Sequence, residues 1–186
     1  MKATYKKSWL SLFVLSIMML ILAACGNNTQ ESTEKEGTKG NNDAPAEETY
    51  TVEHAMGKTE ITGTPKKVVI LTNEGTEALL SMGVTPVGAV QSWLGEPWYE
   101  HIASDMEGVE VVGTESEVNV EAIAALKPDL IIGNKMRQEK IYDQLAAIAP
   151  TVFSETLRGD WQENFKLYAK ALNHEEDVNW QRAWST

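Results

Sequence analysis

Hydrophobic and polar positions divide the chain into three stretches of different character. Trp9 to Leu22 is an uncharged, mostly apolar run of 14 residues. Residues 26–48 (GNNTQESTEKEGTKGNNDAPAEE) then carry no apolar side chains except Ala44, Ala46 and Pro45. From Tyr50 onward, short apolar runs return at regular intervals with helical patterns between them. Tyr50 to His54 and Thr59 to Ile61, separated by Met56-Gly57-Lys58, predict a hairpin. Val68–Leu71, Val87–Val90, Val109–Val112, Leu130–Ile132 and Thr151–Phe153 are rich in β-branched residues and read as strands.

The helical patterns lie between these runs. Glu77 to Met82 ends at Gly83, a C-terminal cap residue. Asn119 is placed to cap Val120–Leu126 at its N-terminus, with Val120, Ile123 and Ala124 sharing a face. Ile141, Leu145 and Ile148 form the next stripe, closed by Pro150, and Trp161, Phe165, Tyr168 and Leu172 form a longer one. Strands alternating with helices at this spacing predict an α/β fold: a mostly parallel, doubly wound sheet covered on both faces.

Ligands of open α/β sheets bind beyond the carboxyl ends of the strands. The residues following each run are Thr72-Asn73-Glu74, Gln91-Ser92-Trp93, Gly113-Thr114-Glu115, Asn134-Lys135-Met136-Arg137 and Ser154-Glu155-Thr156-Leu157-Arg158. They offer hydrogen-bond donors, three cations and an aromatic ring, suited to a polar, oxygen-rich, anionic ligand. Taken singly, Trp93 reads as packing, and Arg137 and Arg158 as solvated surface. It is the shared edge that makes them site candidates.

The first stretch reads as an address. Lys2, Lys6 and Lys7 precede the apolar run, which is shorter than the roughly 20 residues of a bilayer span but fits a signal-peptide core. It ends in Leu22-Ala23-Ala24-Cys25-Gly26, which resembles a bacterial lipobox and implies cleavage before Cys25 and lipidation of its sulfur. Residues 1–24 are thus expected to be a lipoprotein signal peptide. Residues 25–48 are expected to be a lipidated, disordered tether, too poor in apolar surface to fold, with a reach of roughly 25–30 Å. Two or more acyl chains would hold the protein on the extracytoplasmic face of a cell membrane.

Composition narrows the function. The net charge of -11 over 186 residues argues against nucleic acid as a partner. One cysteine excludes an internal disulfide. His54, His101 and His174 are far apart in sequence, with no zinc spacing, and the chain has no G-x-S-x-G or phosphate loop. No catalytic residue, metal site or cofactor is indicated, so an enzyme is not expected.

Two segments carry a family resemblance. Pro65-Lys66-Lys67-Val68-Val69-Ile70-Leu71 followed by Leu79-Leu80-Ser81-Met82-Gly83-Val84-Thr85-Pro86-Val87-Gly88, and Asn119-Val120-Glu121-Ala122-Ile123 followed by Leu126-Lys127-Pro128-Asp129-Leu130-Ile131-Ile132, resemble the substrate-binding lipoproteins of iron–siderophore ABC importers. Lys135 to Leu145 with Ile148 to Val152, together with Gln91-Ser92-Trp93, are similar to the hydroxamate and citrate-hydroxamate binders among them. The resemblance implies binding without catalysis, the siderophore itself supplying the iron's oxygen ligands, and an ABC permease with its ATPase as partners. It matches Trp93, Lys135, Arg137 and Asn73 to the ligand cleft and Glu121 to a permease contact. Arg158 is a candidate from strand position alone. Glu115 stands where some relatives carry a basic residue. Cobalamin, haem or catecholate capture by the same architecture, and a surface lipoprotein without a small ligand, remain open alternatives.

The family has two α/β lobes joined by a long helix. Residues 49–186 are expected to form the N-terminal lobe alone. The sequence stops about where that helix would begin, and Asp177 to Thr186 lack its charged, alanine-rich character, as in a truncated or frameshifted reading frame that has lost the C-terminal lobe. Anchoring is directly testable: Cys25→Ala is expected to release the protein from membranes or leave an uncleaved precursor. Unchanged mass and membrane fractionation would remove the lipoprotein reading.

Overall fold

The computed structural model describes residues 48–175. The expected signal peptide, Cys25, nearly all of the tether and residues 176–186 lie outside the described residues.

The alternation of side chains along the strands builds the fold. Five short strands, β3 (Val68–Ile70), β4 (Gly88–Ala89), β5 (Glu110–Val111), β6 (Leu130–Asn134) and β7 (Thr151–Ser154), pair in parallel in the order β5-β4-β3-β6-β7. Because successive side chains point to opposite faces, Val68, Ile70, Leu130, Ile132 and Val152 enter one core. Val69, Leu71, Ile131 and Phe153 enter the other. The helices α1 (Asn73–Ser81) and α5 (Trp161–Ala171) cover the first face through Leu79, Tyr168 and Ala171. The helices α2 (Val120–Leu126) and α4 (Tyr142–Ala146) cover the second through Ile123 and Leu145. Each fully buried Leu or Ile contributes about 1.5–3 kcal/mol. The doubly wound parallel sheet expected from the sequence is therefore what forms.

All five expected strands are present. Local departures have identifiable causes. Helix α1 begins at Asn73 rather than Glu77, because Thr72 Oγ1 accepts the Gly75 amide at 3.0 Å and caps it. Gly75 disguises this start in the sequence, yet the position demands it. A Cβ there would lie 2.4 Å from Ile70 Cδ1, so only glycine lets the helix lie this close to β3. Asn119 caps α2 as expected, its Oδ1 accepting the Ala122 amide at 3.0 Å. Ala124, expected on the packed face, is exposed; Ile123 is buried, with Ala122 and Leu126 partly so. The stripe Ile141–Leu145–Ile148 is broken into α3 (Lys135–Gln138), a 3₁₀ turn (Glu139–Ile141) and α4. Residues 93–108, for which the pattern predicts no element, form turns that bury Ile102 and Met106 on the first face.

The hairpin solves an edge problem. β1 (Thr49–His54) and β2 (Gly57–Thr62) pair antiparallel and lie against β7, whose outer edge would otherwise expose unpaired backbone groups. The Ala55 amide donates to the Phe153 carbonyl at 3.0 Å, and Thr59 Oγ1 to the Thr151 carbonyl at 2.8 Å. His54 Nδ1 accepts from the Phe153 and Met56 amides, both at 3.3 Å. Thr59 has spent its hydroxyl proton, so His54 Nε2 must be the donor across the 2.9 Å contact to Thr59 Oγ1. These bonds require a neutral imidazole protonated at Nε2.

Burial also holds the His54 pKa below its usual 6.5. The unfolded chain therefore takes up a proton near pH 6.5 while the folded chain does not. This part of the stability is complete above about pH 6.5 and is lost as pH falls from there through the lower folded value, with a slope of at most about 1.4 kcal/mol per pH unit. His54→Asn, which retains an acceptor near Nδ1, is expected to flatten the fall in urea midpoint between pH 7.5 and 5. A variant as pH-sensitive as the parent would remove His54 as its source.

Candidate functional site

The sheet order places a topological switch between β3 and β6: the chain winds from β3 through β4 to β5, then returns to β6 on the other side of β3. A crevice is expected beyond the carboxyl ends of these two strands. Here it is filled by polar side chains. Gln138, 2% exposed, donates through Nε2 to the Leu71 carbonyl at 3.2 Å and the Glu115 carbonyl at 2.7 Å, while its Oε1 accepts the Asn134 amide at 2.8 Å. One amide thereby joins the loops after β3 and β5 to the end of β6.

Glu115 adds a second tie. Gly113, at φ 102°, turns the chain after β5 so tightly that a Cβ would lie 2.2 Å from the Glu117 carbonyl oxygen. The turn sends the Glu115 side chain inward, where the residue is 6% exposed. Its Oε1 accepts from the Asn73 backbone amide at 2.7 Å and from Asn73 Nδ2 at 3.1 Å, at the first turn of α1. Its Oε2 lies 3.8 Å from Arg137 Nε. A buried carboxylate needs such compensation. The Arg137 guanidinium in turn lies over the Trp93 ring, 5.8 Å from Cζ to centroid, within cation–π range.

The open space is displaced toward β4 and β5. A cleft of about 290 Å³ is lined by Gln91, Ser92, Trp93, Thr114, Glu115 and Ser116. Trp93 and Leu94 beside it are 60% and 79% exposed, and Met136 is 67% exposed. Apolar surface, backbone and hydroxyl donors, and one cation with an aromatic neighbour thus converge on the carboxyl edge. Among the described residues, no group of three His, Cys, Asp or Glu side chains is placed to hold a metal ion.

Residues 68–179 match the periplasmic binding protein family. The chain belongs to that family. It is 56% identical over 169 residues to the probable siderophore-binding lipoprotein YfiY of Bacillus subtilis, covering 90% of this chain and 50% of that one. It is 33% identical to the Fe(3+)-citrate-binding protein YfmC of the same organism, covering 88% and 52%. Among solved structures, Staphylococcus aureus SirA complexed with staphyloferrin B matches with a TM-score of 0.67 and 47% identity, over 69% of this chain and 44% of that one. The chain spans about half the length of the curated relatives it matches.

Of the residues singled out in the sequence, Trp93, Arg137 and Asn73 are brought together, the last two through Glu115. Asn73 is buried, and its amide nitrogen is engaged by that carboxylate. Lys135 lies on the β7 side and pairs with Glu155 at 2.9 Å, a contact that holds its pKa above the usual lysine range. Arg158 is exposed at φ 70°, and its backbone amide donates to Glu74 Oε2 at 2.9 Å. Glu121 is exposed in the first turn of α2 and belongs to none of these contacts. Sequence reasoning passed over Gln138 and Asn134. Asn134 Nδ2 donates to Ser154 Oγ at 2.9 Å and to the Thr156 carbonyl at 2.8 Å, and Ser154 Oγ lies 3.1 Å from the Tyr168 hydroxyl. Burial pushes that hydroxyl up to about 12, so it stays neutral. Polar residues inside Asn134–Lys140 carry no sign of burial in the sequence; the one available signal was their place directly after a strand.

Gln138→Leu keeps the volume but leaves three buried backbone groups without their partner. At about 1–3 kcal/mol for each, a loss of at least 3 kcal/mol is expected. Denaturant unfolding measures it directly; a loss below about 1 kcal/mol would mean the loops are held otherwise.

Proposed function

We propose that this chain is the substrate-binding component, or one lobe of it, of an ABC importer for iron(III)–siderophore complexes. It binds without catalysis and hands its cargo to a permease. The observation that carries this reading is the Trp93–Arg137 pair beside the carboxyl-edge cleft in a member of the periplasmic binding protein family. A ferric siderophore presents an oxygen-rich surface around an iron it has already coordinated, so it asks the protein for donors and apolar contact rather than metal ligands. The cleft offers both. The names of the relatives and of the solved neighbour point to the same cargo.

Within this reading Trp93 packs against the ligand, Arg137 donates to its oxygens, and Lys135 and Arg158 extend the cationic rim. Asn73 acts through Glu115 at the back of the cleft. A hydroxamate-type siderophore is the expected class. Glu121, exposed on α2, is the proposed permease contact. Lipidated Cys25 would anchor the chain to the outer face of the membrane, with residues 26–48 as tether and residues 49–186 as the binding lobe.

Arg137→Ala tests the assignment. A charge-assisted bond contributes about 1.5–3 kcal/mol, so affinity for a ferric hydroxamate is expected to fall by about one to two decades. Stability should change by less than about 1 kcal/mol, because the ion pair is long and buried Glu115 keeps both Asn73 donors when Arg137 is removed. Tryptophan quenching titrations and thermal unfolding give the two values. Unchanged affinity would return Arg137 to a surface role.

A further inference from the structure

The site's cations already have carboxylates beside them. Arg137 faces Glu115 at 3.8 Å and Lys135 faces Glu155 at 2.9 Å. The two acids differ in freedom. The Glu155 side chain is 62% exposed and can swing away when a ligand arrives. Glu115 cannot, because the residue is buried and both Asn73 donors fix its Oε1. A ligand that fills the cleft and reaches Arg137 beside it therefore meets a guanidinium whose charge is balanced by an immovable anion in the cleft wall.

We infer that Glu115 determines specificity: it positions Arg137 against Trp93 and restricts the site to ferric complexes with little or no net negative charge. The inference rests on the ferric-complex reading above. Three hydroxamates, each singly charged, neutralise ferric iron. Three catecholates, each doubly charged, leave a polyanion. A neutral complex can accept hydrogen bonds from the outer nitrogens of Arg137 and lay its apolar surface on Trp93. A polyanion gains the same contacts but is brought against the Glu115 carboxylate, and like charges held together at a binding site disfavour it. The net charge of -11 on the chain acts in the same direction.

The test uses the full chain in detergent, read by tryptophan quenching against a neutral ferric trihydroxamate and an anionic ferric tricatecholate. The wild type is expected to favour the neutral complex by at least about tenfold, and added salt to narrow that gap by strengthening only the anionic complex. Glu115→Gln retains an acceptor for Asn73 and removes the charge. It should shift the ratio of anionic to neutral affinity by about tenfold or more toward the anionic complex, whatever the loss of the Arg137 contact costs both. Equal affinity of the wild type for both complexes, or a variant that shifts both alike, would overturn the inference and leave the ferric-complex reading standing. A folded wild type that binds neither complex would sink that reading and this inference with it. Should Glu115→Gln fail to fold, the wild-type salt series decides, and a gap that salt does not narrow overturns the inference.

Discussion

The side-chain amide of Gln138 is the contact on which the rest of the carboxyl edge depends. It stands where the two halves of the parallel sheet part, and bonds to backbone from the loops after β3 and β5 and from the end of β6. Parallel strands this short, two or three residues in β3, β4 and β5, cannot by themselves fix the loops that follow them. The buried amide does so by making any other arrangement leave desolvated carbonyls and amides unpaired. Asn134 extends the same control to β7 through Ser154 and Thr156, and Glu74 carries it on to α5 by accepting from Asn164 at 2.8 Å.

Filling the switch-point crevice has a consequence for the site. The open cleft is moved aside, between the loops after β4 and β5, and its back wall is a buried acid instead of the helix N-terminus that α/β folds commonly present to anions. The first backbone donor of α1, the Asn73 amide, is already occupied by Glu115. The positive end of α1 is spent on an internal anion, while Trp93 and Arg137 stay beside the cleft. Both stand at the surface, yet each is oriented: Arg137 by Glu115 on one side and the Trp93 ring on the other.

The hairpin at the opposite end of the sheet order serves stability. Its bonds to β7 cover the edge strand, and Tyr50 pins it to α5 by donating to the Ala171 carbonyl at 2.9 Å. Val52 and Ile61 place its apolar side chains in the core that also holds Tyr168 and Leu172. This end of the molecule is separate from the cleft, so the titration of His54 bears on folding and leaves Trp93 and Arg137 untouched.

The sequence by itself determined the sheet and where its loops would fall. Apolar runs such as Val68–Leu71 and Leu130–Ile132 are buried on both faces, and that demand is written in every residue, so the strands, the presence of helices between them and the Asn119 cap were legible, while the start of α1 and the break between α3 and α4 were not. Trp93 and Arg137 stand out as candidates because their position after a strand is itself a sequence property. Tertiary structure alone decided what became of Gln138, Asn134 and Glu115. In sequence each looks like a solvated residue of a polar loop, since a polar side chain carries no mark of the partners that will pay for its burial. Apart from the Asn134–Gln138 bond, those partners lie 20 to 67 residues away and meet only once the sheet order gathers the carboxyl ends of its strands along one edge. Strand order depends on the sum of all packing and not on any local pattern, which is why the wall of the cleft, and the charge it presents, appeared only in the fold.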